Sequence, residues 1–107
     1  MAFIRRHNDL GHMCVVVQRG DPIAGQVFID VDHMDGTRSL FTPAPFVSRG
    51  EGVGPIFQRR FQRVEPSRVH ERIEQEKRFD PDLWVLGLDL RTDDPGIEIV
   101  SPDENRR

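Results

Sequence analysis

Only one stretch of this chain, residues 67–79, holds apolar residues at helical spacing over several turns, which limits the fold to a sheet carrying one main helix. Pro66 suits the first helical turn, Val69 and Ile73 line one face with Phe79 near the end, Glu74 and Arg78 stand four apart, and Pro81 stops the helix. Elsewhere the apolar residues alternate or form short β-branched runs, the signature of strands. Residues 12–18 hold Val15, Val16 and Val17 in succession, a pattern suited to burial on both faces, so this strand is expected in the middle of the sheet. Residues 25–32 place Val27, Ile29 and Val31 on one side and Asp30 and Asp32 on the other, and Asp35-Gly36 turns the chain into residues 37–42. Residues 57–64 fit either period, and their shortness and flanking prolines favour a strand. Residues 83–90 set Trp84, Leu86, Leu88 and Leu90 on one face, and Asp94-Pro95-Gly96 turns into a short strand at 97–100. The expected fold is therefore a two-layer α+β domain. An antiparallel or mixed sheet of about five strands is covered by the helix at 67–79, with a short helical segment at the N-terminus.

A chain of 107 residues supports one core, so residues 1–100 are expected to form a single domain. Three prolines and three glycines over residues 43–56 predict a long mobile loop, and residues 101–107 a frayed tail. Residues 3–10 are too few for a stable isolated helix, which suggests that Met1 is not the natural start. With 15 basic and 18 acidic residues the formal charge is −3, so the chain as a whole has no pull toward nucleic acid or an anionic membrane. The longest apolar run, residues 13–17, falls far short of the roughly 20 residues that cross a bilayer, and the start lacks the long apolar segment of a secretory signal. Cys14, the only cysteine, excludes an internal disulfide and a multi-cysteine zinc site, and its apolar run predicts a buried thiol. A cytoplasmic location is expected.

No catalytic set, cofactor site or metal site emerges. Asp30, Asp32 and Asp35 with Gly36 suggest a calcium loop, but Met34 and Asp35 take the fifth and sixth positions and no glutamate stands at the twelfth. His7, His12, His33 and His70 show no paired spacing on one helix, and the serines lack a nucleophile elbow. Gly50, Gly52 and Gly54 are not followed by the Gly-Lys-Ser/Thr of a phosphate loop. Two candidate surfaces remain. Arg78, Asp80, Asp82 and Trp84 crowd a helix-to-strand junction, where helix-end complementarity, an Asx turn and a core anchor explain most of the pattern and a ligand or partner surface is the alternative. Residues 49–72 hold six arginines against three glutamates, while residues 80–107 hold eight carboxylates against three arginines. Arg59, Arg60, Arg63, Arg68 and Arg72 thus form a candidate polyanion surface, unless they pair with the acidic segment.

Arg19-Gly20-Asp21, Ala24-Gly25, Asp35-Gly36, Pro43-Ala44-Pro45 and the string from Lys77 through Asp80-Pro81-Asp82-Leu83-Trp84 to Val85 resemble, in this order, the alphaproteobacterial domain of unknown function family 1491. The resemblance spans about residues 3–91. It implies a bacterial intracellular single-domain protein and no particular activity, so it assigns no functional residue. This chain lacks the apolar stretch that family members carry ahead of Phe3-Ile4-Arg5-Arg6, and after Trp84-Val85 it continues with Leu86-Gly87-Leu88 instead of acidic residues. The leading expectation is a non-catalytic protein-binding or regulatory module with a protein partner. A weak nucleic-acid or polyanion binder is the second reading, and a small-ligand binder or enzyme at the Arg78/Asp80/Asp82 junction the third. The oligomeric state is not legible.

Overall fold

The computed structural model describes residues 2–23, 25–44, 57–96 and 99–100. In chain order the elements are α1 (Ala2–Asp9), β1 (Cys14–Gln18), β2 (Val27–Asp32), β3 (Arg38–Pro43), β4 (Phe57–Val64), α2 (Pro66–Phe79), β5 (Trp84–Asp89) and the two-residue β6 (Ile99–Val100). One mixed sheet runs β1-β5-β2-β3-β4-β6, with β5 parallel to β2, β6 parallel to β4, and the remaining neighbours antiparallel. The α+β architecture, the strand at residues 57–64 and the main helix agree with the sequence reading. The loop expected over 43–56 lies outside the described residues apart from residues 43 and 44, as does the tail at 101–107.

The sheet buries both faces, because alternate side chains of each strand point to opposite sides. On one face Cys14, Ile29, Val31, Phe41, Phe57 and Leu88 form a buried cluster that Phe3 and Ile4 of α1 cover. On the other, Phe28, Leu40, Leu83 and Val85 pack with Val69 and Ile73 of α2, flanked by Phe61 and Val64. The short N-terminal helix thus takes the side opposite the main helix. Phe79 does not join Val69 and Ile73, and is 86% exposed. At 100° per residue it stands about 120° around the helix from Ile73.

Strand order departs from the sequence reading in one place. β1 is an edge strand, not a central one, because β5 inserts between β1 and β2. Val15, Val16 and Val17 are accordingly 47%, 37% and 63% exposed. The connection from β1 to β2 must then cross the entrance of β5, and it does so in close contact. Asp21 N–H donates to Asp82 O at 2.9 Å, Trp84 N–H to Gln26 O at 2.7 Å, and the Trp84 indole N–H to Asp21 O at 2.8 Å. Gln18 Nε2 adds a bond to Leu83 O at 3.1 Å. Gly20 and Gly25 both lie against the Asp82 carbonyl so closely that a Cβ on either would fall inside its van der Waals radius.

That contact generates a stability prediction. Gly25→Ala must push apart two backbone segments, not a flexible side chain, so a loss of about 3 kcal/mol is expected, the upper end for overpacking. Urea unfolding should show a lower midpoint at unchanged slope. An unchanged midpoint would show that the crossing is not tight.

Candidate functional site

The two helices do not cover the sheet evenly. α2 sits over β3 and β4 and packs Val69 and Ile73 on Phe28 of β2 and Val85 of β5, leaving β1 and the 87–89 end of β5 less covered on its own face. A cavity of about 420 Å³ follows that opening, walled by Val17 and Gln18 on one side and by His70, Ile73, Glu74 and Lys77 on the other. Gly87, on β5 between Val15 and Asp30 in the ladders, contributes no side chain. The Val17 Cγ2 methyl occupies the space above it, 2.8 Å from where a Cβ would stand. A glycine inside a strand signals such a close approach, and it is the sequence feature by which this surface could have been found.

Asp30 lies at the floor of the cavity, 9% exposed, on the same face as Phe28. Its Oδ2 accepts from Arg38 Nη1 at 2.9 Å, and its Oδ1 is buried with no hydrogen-bond partner. Burial pushes the Asp30 carboxyl above the usual carboxylate range, and the Arg38 guanidinium opposes that shift without cancelling it. Sequence reading placed Asp30 with Asp32 on the acidic face of the strand, opposite Val27, Ile29 and Val31. Burial follows because Arg38 and α2 lie over that side of β2. Asp32 and Asp89 stand side by side in the parallel ladder, and Arg38 Nη2 reaches Asp32 at a loose 3.5 Å.

The junction singled out in the sequence is a structural joint. Asp80 Oδ1 accepts from Asp82 N–H at 3.1 Å in an Asx turn, and the Asp80 N–H closes α2 on Glu76 O. Asp82 supplies its carbonyl to Asp21, Trp84 is half-buried beneath Arg19, and Arg78 is exposed in the last helical turn. The structure brings Asp80, Asp82 and Trp84 together through backbone bonding.

The five arginines divide between surfaces. Arg59 lies over Phe41, on the α1 face, and donates to Asp93 O; Arg68 lies over Phe61, on the α2 face. Arg63 pairs with Asp35 at 3.0 Å and Asp93 at 2.8 Å, and Arg72 with Glu76 at 3.3 Å. Arg60 is exposed.

Two histidine arrangements escaped sequence reading. His33 Nε2 stands 2.7 Å from Ser39 Oγ, the spacing of a base and a nucleophile, yet both residues are buried. The Ser39 hydroxyl also accepts from Arg63 N–H, and His33 Nδ1 donates to Leu90 O at 2.8 Å. This is a closed hydrogen-bond chain tying β2, β3, β4 and the end of β5, and it presents no reacting atom to a substrate. His7, buried in the last turn of α1, donates from Nε2 to Pro95 O at 2.7 Å and therefore accepts at Nδ1 from His12 Nδ1, 2.9 Å away. Among the described residues no group of His, Cys, Asp or Glu is placed to hold a metal ion, and burial raises the Cys14 thiol above its ordinary range.

A small mixed-sheet α+β domain with part of one face less covered is the class that this geometry defines. Residues 1–98 match the family described as protein of unknown function (DUF1491), and the chain belongs to that family. The fold is similar to the solution structure of protein Atu0922 from A. tumefaciens, with a TM-score of 0.80 at 30% identity over 94% of this chain and 88% of that one. It is also similar to the crystal structure of a DUF1491 family protein from Caulobacter crescentus, with a TM-score of 0.72 at 26% identity over 94% and 90%. The NMR structure of a Caulobacter crescentus DUF1491 protein gives 0.70 at 30% identity over the same shares. No curated protein matches the chain.

Two electrostatic predictions follow. Burial holds the His7 pKa below its ordinary value, with His12 and Arg6 adding to the shift and the Pro95 carbonyl opposing it. The unfolded chain therefore binds a proton at His7 first. The stabilisation is complete above about pH 6.5 and falls as the pH drops from there toward the folded-state value. Unfolding free energies at pH 7.5 and 5.5 should differ by less in His7→Gln than in the native chain, and equal differences would refute the assignment. Arg38→Met leaves the buried Asp30 carboxylate unpaired, at a cost of about 2–3 kcal/mol after allowance for the partial exposure of the guanidinium. Because the folded Asp30 pKa is raised, protonation on acidification relieves that cost. Urea midpoints of the variant should approach the native midpoint toward pH 5, and a constant gap would contradict the account.

Proposed function

We propose that this domain is a non-catalytic protein-binding module that meets its partner on the α2-side face of β1 and the adjoining 87–89 end of β5. The carrying observation is the exposure of three consecutive valines on an uncharged edge strand, Cys14-Val15-Val16-Val17-Gln18, next to a cavity that α2 leaves uncovered. Contiguous exposed apolar surface normally marks an interface. β1 has a register shift after Val16 but no charged residue and no proline. Met13, 61% exposed, extends the apolar flank.

Two properties of the described residues support a module without chemistry of its own. The one serine–histidine pair at bonding distance is buried, and the one cysteine is buried with a raised pKa. A polyanion-binding role for Arg59, Arg60, Arg63, Arg68 and Arg72 has less support, since Arg63 and Arg72 are engaged in ion pairs and Arg59 and Arg68 lie on opposite faces. A ligand role for Arg78, Asp80 and Asp82 has less support still, because the backbone joint accounts for the two aspartates. No described helix is long and apolar enough to cross a membrane. A single buried thiol suits a reducing compartment, and we place the protein in the cytoplasm.

The test is affinity capture at native expression level with the native chain and with a Val15→Asp/Val17→Asp variant. Both side chains are about half exposed or more, so circular dichroism of the variant should match the native spectrum. A partner retained by the native chain and reduced about tenfold or more with the variant, a loss of about 1.4 kcal/mol, is the expected result. Equal recovery with both chains would move the interface elsewhere.

A further inference from the structure

The class of partner can be read from what is closed and what is open around β1, an inference that rests on the binding-module reading. Asp89 N–H donates to Met13 O at 2.9 Å, so Met13 and Val15 turn their backbone groups toward β5, and Cys14 and Val16 turn theirs outward. The outward pair at Cys14 is already occupied. Asn8 of α1 accepts from Cys14 N–H through Oδ1 at 3.0 Å and donates from Nδ2 to Cys14 O at 3.3 Å, so its carboxamide takes the place of one residue of an added strand. A partner strand would find Val16 open and then run into α1. The edge is closed to an added ladder, and the face is what remains.

The dimensions of that face fit a helix. Packed helix axes lie about 10 Å apart, or two strand spacings of about 4.8 Å, so a helix laid beside α2 would run over β5 and β1. One wall is Val17 and Gln18, with Val15 exposed beside them. The opposite wall is His70, Ile73, Glu74 and Lys77, spaced as one side of α2, and Val17 packs over Gly87 between them. The charge on this face is unbalanced: Asp30 lies in the cavity, Asp32 and Asp89 lie beyond it on the same side of the sheet, and Arg38 is the only described cation paired with any of them. The chain's own helices do not supply the occupant, because the apolar residues of α1 and α2 are already packed in the two cores.

We propose that the α2-side face of β1 and the 87–89 end of β5 bind one amphipathic helix of a protein partner, laid beside α2, with an apolar stripe against Val15 and Val17 and a lysine or arginine against Asp32 and Asp89. The docked helix completes the layer that α2 leaves half built, and its basic residue offsets the acidic pair.

Selection on the intact chain from two displayed libraries, one on a helical scaffold and one of linear peptides, tests this. The expected binders are helices with apolar residues at i, i+4 and i+7 and a basic residue near one end. They should shift the amide signals of Val15, Val17, Gly87 and Asp89. Val17→Asp should weaken them by tenfold or more and Asp89→Lys by about tenfold. Linear binders that slow amide exchange at Val16 would overturn the helix assignment while leaving the binding-module reading intact. Binders insensitive to Asp89→Lys would overturn the basic end, and the absence of any binder mapping to this surface would overturn both the inference and the reading beneath it.

Discussion

The arrangement depends on the crossing of the 19–26 connection over the start of β5. A late strand enters between two early ones, so β1 and β2 never pair directly, and only their shared contacts with β5 and the bridge hold them in one sheet. The bridge works through backbone groups. The Asp82 carbonyl accepts from Asp21 while Gly20 and Gly25 press against it, and Trp84 bonds the bridge at both its peptide N–H and its indole N–H. Directional bonds of this kind fix register where apolar burial alone would tolerate slippage.

The open surface follows from the same insertion. The chain leaves β4, forms α2, and must reach β5 on the far side of β3 and β2. A helix of 14 residues beginning two residues after β4 stays near the strand it has left, and Val69 and Ile73 find their core over Leu40, Phe28 and Val85. Nothing in the described chain returns to cover β1. The valine run that looks like a central strand in the sequence is therefore exposed, and Asn8 of α1 closes part of its edge without touching its α2-side face.

Most elements were legible because each has a local cause. Pro66 and Pro81 bracket α2, Asp35-Gly36 turns the β2–β3 hairpin with Gly36 at φ +90°, and alternation identifies β2 and β5. Strand order was not legible, because Val15-Val16-Val17 has the same composition whether β5 lies on one side of it or strands lie on both. The candidate site was hidden for the same reason. Gly87 and Val17 become neighbours only through the β1–β5 pairing, and Asp30 becomes a buried carboxylate only once Arg38 and α2 are in place. The His7–His12 contact is a closure of five residues around Gly11, whose φ of +88° no periodicity argument reports.

Several of the residues that carried the family resemblance meet at the crossing: Gly20 and Asp21, Gly25, and the run from Asp80 to Trp84. The close approach of the Asp82 carbonyl leaves no room for a side chain at Gly20 or Gly25, a geometric demand independent of any ligand. The side chains of Val15 and Asp89 carry no comparable structural duty, since the backbone of β1 and β5 pairs whatever they are, while Val17 packs over Gly87. A fold secured by backbone contacts at one end of a strand leaves the other residues of that strand free to be chosen for what they bind. On this protein those residues are apolar along β1 and acidic at the end of β5, the chemistry that the proposed helix with its apolar stripe and basic end would complement.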